Sequence, residues 1–175
     1  MELQVNLRTI KDEDHGDLVR LANNKKIWQN LRDVFPHPYG DEDGRFFMKL
    51  VRQDKKNLRS VIDVDGSFAG MIGAFLQDDV NKHTAELGYW LGEPYWEKGI
   101  ITEAIRLKCD QVFKETEVRR IFAAVFSYNA ASMKVLEKNG FESEGIGRDA
   151  IFKDGTFHDE HRYAILRCDY KKLKK

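Results

Sequence analysis

The chain has 175 residues and a mass of 20.4 kDa, with 29 Lys and Arg set against 29 Asp and Glu. A hydrophobic fraction of 42%, with 11 Phe, 6 Tyr and 3 Trp, suffices for a packed core and excludes a disordered chain. Zero net charge gives no bulk attraction for nucleic acid or an anionic membrane, and no apolar run approaches the ~20 residues that span a bilayer.

Leu3 to Thr9 alternates apolar and polar residues and reads as a strand. Asp12 is placed to cap a helix whose apolar stripe is Leu18, Leu21 and Ala22. The pattern breaks from Ile27 to Gly40, where Pro36, His37, Pro38 and Tyr39 predict an irregular aromatic loop. Asp41 opens a short helix carrying Phe46, Phe47, Leu50 and Val51. Val61–Val64 and Phe68–Phe75 flank Asp65-Gly66, a strong hairpin signal because both turn positions tolerate positive φ. Ala85–Leu91 completes an antiparallel meander, with Ala85, Leu87, Tyr89 and Leu91 on one face and Glu86, Gly88 and Trp90 on the other.

Residues 92–99 form a loop before a helix from about Ile100 to Thr116, with Ile101, Ile105, Cys109, Val112 and Phe113 on one face. The apolar run Arg120–Phe126 predicts a central strand buried on both sides. Asn129–Asn139 is a second helix, ended by Gly140. Gly145 and Gly147 interrupt a strand that turns at Asp154-Gly155 and returns from Phe157 to Leu166. The expectation is one domain over residues 1–175, of mixed α/β class (α+β), with helices packed on a mixed sheet. The N-terminal segment lacks the basic-then-apolar order of a signal peptide, and two cysteines are too few for a disulfide scaffold. A reduced, cytoplasmic protein is the expectation.

Two places look able to carry chemistry. Gly99 permits a tight entry into the long helix, whose first-turn N–H groups, with Lys98 beside them, suit a phosphate; an ordinary strand-to-helix connection reads equally well. Asn129, Ser132 and Leu136 share one stripe of the next helix. There Asn129 is either a helix cap with Ser132 a bystander, or both are site residues.

AELGYWLGEPYWEKGIITEAI followed by FSYNAASMKVLEKNGFESEG resembles the GNAT superfamily of acyl-CoA-dependent N-acetyltransferases, and within it the branch of bacterial ribosomal-protein N-terminal acetyltransferases. VFPHPYGDEDGRFF resembles that branch's acceptor loop, and DEHRYAILRCDY its closing strand. The resemblance implies a mostly antiparallel, twisted sheet with a splayed central strand pair and helices on both faces. It implies acetyl-CoA as co-substrate; on the residues themselves no metal is expected. Main chain at Trp90, Leu91 and Gly92 would pair with pantetheine, and the amides of Lys98, Gly99, Ile100, Ile101 and Thr102 would hold the pyrophosphate. Asn129 would bond the pantetheine arm. Ser132 would lie near the sulfur as general acid, since Leu136 stands where many members have Tyr. Ile101 and Glu97 depart from the small residues usual in the phosphate loop.

The amine acceptor is expected to be a protein N-terminus, with a polyamine or antibiotic, or a non-catalytic CoA-binding role, as alternatives. Deprotonating an α-amine at pH 7 costs about 1.4 kcal/mol, and a lysine amine about 4.6. Glu86 is the candidate base, with a solvated strand carboxylate as its other reading. His37 and Tyr39 are candidate acceptor contacts, or simply loop packing. Asp33, Asp41, Glu42 and Asp43 would suit a polyamine. Cys109 reads as a buried small hydrophobe. His158 and His161 face opposite sides of a strand and make a poor metal pair. The lysine-rich tail from Lys171 reads as a solvated terminus, and the chain as a monomer or homodimer.

Overall fold

A computed structural model describes residues 3–173; Met1, Glu2 and the last two lysines of the basic tail, Lys174 and Lys175, lie outside the described residues. The strands are β1 (Val5–Arg8), β2 (Leu58–Val64), β3 (Ser67–Leu76), β4 (Thr84–Leu91), β5 (Arg120–Phe126), β6 (Glu142–Lys153) and β7 (Thr156–Leu166). The helices are α1 (His15–Ala22), α2 (Lys25–Trp28), α3 (Asp41–Gln53), α4 (Ile100–Glu115), α5 (Ala130–Lys138) and α6 (Arg167–Leu173). Among the described residues the strands form one sheet in the order β1-β2-β3-β4-β5-β7-β6, antiparallel except for β4 beside β5. The fold is thus the mixed α/β arrangement expected.

Both hairpins turn where the sequence places them. Asp65 and Gly66 have φ of 50° and 85°, and Asp154 and Gly155 have 50° and 78°. Two left-handed residues in a row make the turn whose twist matches that of the flanking strands. Side-chain alternation then sends the two faces of the sheet into two cores. One packs Ile62, Ile72, Leu87, Ile121 and Tyr163 under α4 and α5. The other packs Val61, Phe68, Met71 and Trp90 under the segment from α1 to α3.

Four expectations need correction. Asp12 does not cap α1; it begins a 3-10 turn, Asp12–Asp14, and pairs with Arg52 at 2.6 Å. Asp14 does the local work instead, accepting from the Lys11 amide at 2.8 Å and from the Arg8 guanidinium at 2.7 Å. Phe46 is 67% exposed, because the inner face of α3 is Gly44, Phe47, Met48 and Val51. Gly44 is required there, since a Cβ would lie 2.7 Å from Val19 of α1. β5 is not evenly buried on both faces: Ile121, Ala123 and Val125 are enclosed, while on the other face Phe122 and Ala124 are half-covered and only Phe126, at the strand's end, is buried. The Arg120 and Arg162 guanidinium groups lie 5.0 and 5.4 Å from the Phe122 ring centre. Finally, the ordered elements do not end with β7: Arg167–Leu173 form α6, a helix absent from the expected element order, while Lys171 and Lys172 on it are exposed as a solvated terminus requires. Arg167 donates to the carbonyls of Phe113, Thr116 and Val118, closing the C-terminal end of α4, and Tyr170 is buried against that helix.

The inner stripe of α4 also holds Lys108, which has no solvent exposure. Its Nζ donates to Leu58 O at 3.0 Å, Ser60 Oγ at 2.7 Å and Gln111 Oε1 at 2.7 Å. Burial pushes the ammonium down to about 8, partly offset by Glu115. The unfolded chain, with an ordinary lysine near 10.4, binds the extra proton between these values. Stability therefore rises with pH from about 8 to about 10.4, by at most about 1.4 kcal/mol per pH unit. Urea midpoints for the parent and Lys108→Met, compared at pH 7.5 and 9.5, are expected to show this rise in the parent and lose it in the variant.

Candidate active site

β4 and β5 pair only at Thr84, Ala85 and Glu86 against Arg120, Ile121 and Phe122. Beyond Glu86 the strands continue separately, β4 to Leu91 and β5 to Phe126. The result is a wedge with its vertex at Glu86, and among the described residues no strand pairs with this edge of β4 past that point.

Which main-chain groups face the wedge follows from the other edge. Gly92 N–H donates to Ala69 O at 2.8 Å, which makes Leu91–Gly70 a pair without mutual hydrogen bonds. Alternation then turns the amide and carbonyl of Trp90 toward Met71 on β3, and those of Tyr89 and Leu91 toward the wedge. Of Trp90, Leu91 and Gly92, Leu91 alone directs its N–H inward. Its carbonyl accepts from Trp96 Nε1 at 2.7 Å, which ties the loop ahead of α4 to the wedge. Ala69 is itself the extra residue of a bulge, since the β2–β3 register shifts between Ile62–Gly70 and Asp63–Phe68.

At the open end the chain passes through the loop into α4. Gly99 has φ of 76° and caps the helix, so the amides of Ile100, Ile101 and Thr102 precede the first intrahelical bond, Glu103 N–H to Gly99 O at 3.1 Å. Ile100 is buried and Ile101 packs against the core, while the amides of this turn point along the helix axis out of its N-terminus. Glu97 is exposed and holds φ of 60°, a left-handed conformation that favours glycine and costs of order 1 kcal/mol in a residue with a Cβ. Lys98 Nζ donates to Pro94 O at 2.8 Å, so the lysine braces the loop.

The far wall is the first turn of α5. Asn129 is its N-cap, with Oδ1 accepting from Ser132 N–H at 3.1 Å. Ser132 Oγ lies 2.7 Å from Tyr89 Oη. That bond joins β4 to the helix following β5 and so spans the wedge. Burial raises the phenol of Tyr89 well above its ordinary value, with the Ser132 hydroxyl opposing. The sequence reading placed Tyr89 on the core face and went no further. The signal it held was that a phenol on a buried face needs a hydrogen-bond partner.

Glu86 is on the opposite face of β4 from Tyr89, at the vertex, in an ion pair with Arg32. Arg32 belongs to a strap, residues 29–40, that crosses this face of the sheet. Lys153, 3% exposed, ties the strap down through Asp33 at 2.6 Å, with its Nζ 3.9 Å from the Trp28 ring centre. Tyr128 Oη donates to Gln29 O. His37 is exposed and tilts against Trp28 at 5.7 Å between centroids. Tyr39 is only 3% exposed: its ring packs on Phe35 at 5.0 Å and its hydroxyl donates to Asp43 O. It belongs to the core beneath the strap rather than to its open surface. Asp41 pairs with Arg45, and Asp43 accepts from Gly40 N–H at 2.8 Å, so both serve the start of α3. Asn30 holds the one buried side-chain polar atom without a partner among the described residues, its Oδ1.

An exposed β edge, a helix start with outward amides and a hydroxyl pair between them suit a long ligand with amide groups, an anionic end and a reactive centre. Cys109 is enclosed in the core and Cys168 is exposed on α6. His158 packs on Tyr128 at 4.8 Å.

Comparison with known proteins agrees with this layout. The family described as acetyltransferase (GNAT) domain matches residues 4–142. YdaF of Bacillus subtilis (strain 168), provisionally named a ribosomal N-acetyltransferase, is 35% identical over 117 residues, covering 67% of this chain and 63% of YdaF. The spermidine N(1)-acetyltransferase of Escherichia coli (strain K12) is 26% identical over 168 residues, covering 95% of this chain and 88% of that enzyme. The structure of Mycobacterium smegmatis RimJ in complex with CoA-disulfide superposes with a TM-score of 0.85 at 24% identity, covering 94% of this chain and 83% of that one. The match to YdaF thus spans less than two thirds of that relative's length.

Proposed function

Because the chain belongs to the acetyltransferase (GNAT) domain family, we propose that it transfers an acetyl group from acetyl-CoA to a primary amine, and that this amine is the N-terminal α-amine of a protein. The observation that carries the reading is the wedge. Tyr89 and Leu91 present main-chain groups to the pantetheine amides as a further strand would, the amides of Ile100, Ile101 and Thr102 hold the pyrophosphate, and Asn129 and Ser132 line the opposite wall. The neutral amine attacks the thioester carbon, the C–N bond forms and the C–S bond breaks. The Leu91 N–H is the donor aimed at the developing oxyanion. Ser132 directs its proton at the departing thiolate, and Glu86 or water takes a proton from the amine.

The choice of acceptor rests on charge at the strap. A polyamine wants carboxylates that the chain leaves unneutralised. Here the carboxylates of the vertex and the strap are paired, Glu86 with Arg32 and Asp33 with Lys153, and of the acidic residues that open α3 Asp41 pairs with Arg45, Asp43 bonds the Gly40 amide and Glu42 stays exposed. An α-amine needs little help to lose its proton, which matches a site with one carboxylate at the vertex. The name of YdaF points the same way. The second reading, a spermidine-type acceptor, draws on the near-full-length likeness to the Escherichia coli enzyme.

Thiol release from saturating acetyl-CoA, measured with free-α-amine peptides, their N-acetylated forms and spermidine, separates the two. The expected kcat/KM is at least about tenfold higher for the free peptides than for spermidine, a gap of about 1.4 kcal/mol in transition-state binding. N-acetylated peptides without lysine should be inert. The reverse order would replace this acceptor class with polyamines.

A further inference from the structure

We infer that Tyr89 is a positioning residue that acts on the departing thiolate through Ser132, an inference that rests on the acyl-transfer reading above. The two oxygens are 2.7 Å apart, and each is anchored separately. Tyr89 is fixed by its register opposite Ile72 on β3, and Ser132 by the Asn129 cap on its main-chain amide. A serine hydroxyl has one proton and two lone pairs. In this pair the phenol is the stronger acid, so Tyr89 donates and Ser132 Oγ accepts. The Ser132 proton is then turned away from Tyr89 and is available to a group in the wedge. Without that bond, a serine in a first helical turn is free to rotate toward main-chain carbonyls of its own helix.

The pair supports the departing sulfur without itself ionising. A thiolate whose thiol titrates near 8.5 is a weaker base than an alkoxide or a phenolate, so what it needs at departure is a directed hydrogen bond. With Tyr89 donating to its oxygen, Ser132 points its own proton at the sulfur and the thiolate leaves on that bond. Water then carries to the sulfur the proton that the amine released. The net change is one N–H proton lost and one S–H proton gained, with no oxidant or reductant involved. The arrangement also explains how a chain with Leu136 at the usual tyrosine position keeps a phenol within reach of the site: β4 supplies it instead of α5.

The test is a double-mutant cycle on the full chain, with Y89F, S132A and the pair, read as kcat, KM for acetyl-CoA and CoA affinity by calorimetry. Y89F is expected to lower kcat about tenfold while leaving KM and CoA affinity within about twofold. Added to S132A it should change kcat by less than about twofold, because its effect passes through that hydroxyl. Losses that multiply, a Y89F enzyme as fast as the parent, or a Y89F variant that loses CoA affinity in step with turnover would overturn the inference. A parent chain that releases no thiol with any amine overturns the acyl-transfer reading beneath it as well, whereas an active parent with an unaffected Y89F sinks this inference alone.

Discussion

Gly70→Ala is expected to lower the unfolding free energy by about 3 kcal/mol, the upper end for a side chain forced into packed structure. A drop of that size moves the melting temperature of a chain this long by about 6–12 °C. Gly70 has no unusual φ, so the cause is space alone. A Cβ there would overlap Trp90 O and stand 2.9 Å from Leu91 Cα. Both obstacles are main chain, so no rotamer change relieves them. The β3–β4 register must move, and with it the Gly92–Ala69 bond that turns Leu91 toward the wedge. CoA affinity should fall together with stability. Gly73→Ala on the same strand is the control: its Cβ would meet the Phe75 ring at 3.2 Å, and a ring can swing away. Thermal melts and CoA titrations of both variants check this. Equal, small effects would mean that the close approach at Gly70 does not set the wedge.

Ser132→Ala is expected to lower kcat about a hundredfold, the low end for removing a hydrogen-bond donor aimed at developing charge, while KM for acetyl-CoA stays within about twofold. The Asn129 cap bonds the main-chain amide of residue 132 rather than its side chain, so the helix start survives the substitution. Asn129→Ala should do the opposite, weakening CoA binding and costing about 1 kcal/mol of stability through the lost cap. Steady-state kinetics alongside calorimetry separates the two. If Ser132→Ala turned over at the parental rate, the thiolate would need no hydrogen bond from residue 132, and the role of Tyr89 would vanish with it.

Much of the framework was legible in local patterns. Asp65-Gly66 and Asp154-Gly155 announced their hairpins because two consecutive positive-φ residues do little else between apolar runs. Gly99 and Gly140 marked one helix start and one helix end for the same local reason. The alternation in Ala85–Leu91 sorted Tyr89 from Glu86 onto opposite faces, as observed. Patterns misled where a residue's fate depended on a distant partner. Phe46 looked like core, but the face of α3 was chosen by Gly44 against Val19. Lys108 interrupts an apolar stripe without breaking the helix, because Leu58 O and Ser60 Oγ, some fifty positions away in the chain, accept hydrogen bonds from its ammonium. Nothing local marked Arg167–Leu173 as a helix; it forms because the carbonyls of Phe113, Thr116 and Val118, at and just past the end of α4, hold Arg167.

Sequence alone determined the order of the strands and of the longer helices, the turn positions and the family signature from Asn129 to Phe141, because each is written in φ preferences and spacings that neighbouring residues satisfy among themselves. The tertiary structure decided which amides look into the gap, since that orientation is inherited from the ladder with β3 and from the bulge at Ala69. It also brought a phenol on β4 within hydrogen-bonding reach of a hydroxyl on α5, 43 positions later. No local rule encodes such a meeting: it exists only once two strands part company and a helix start is packed across the opening between them.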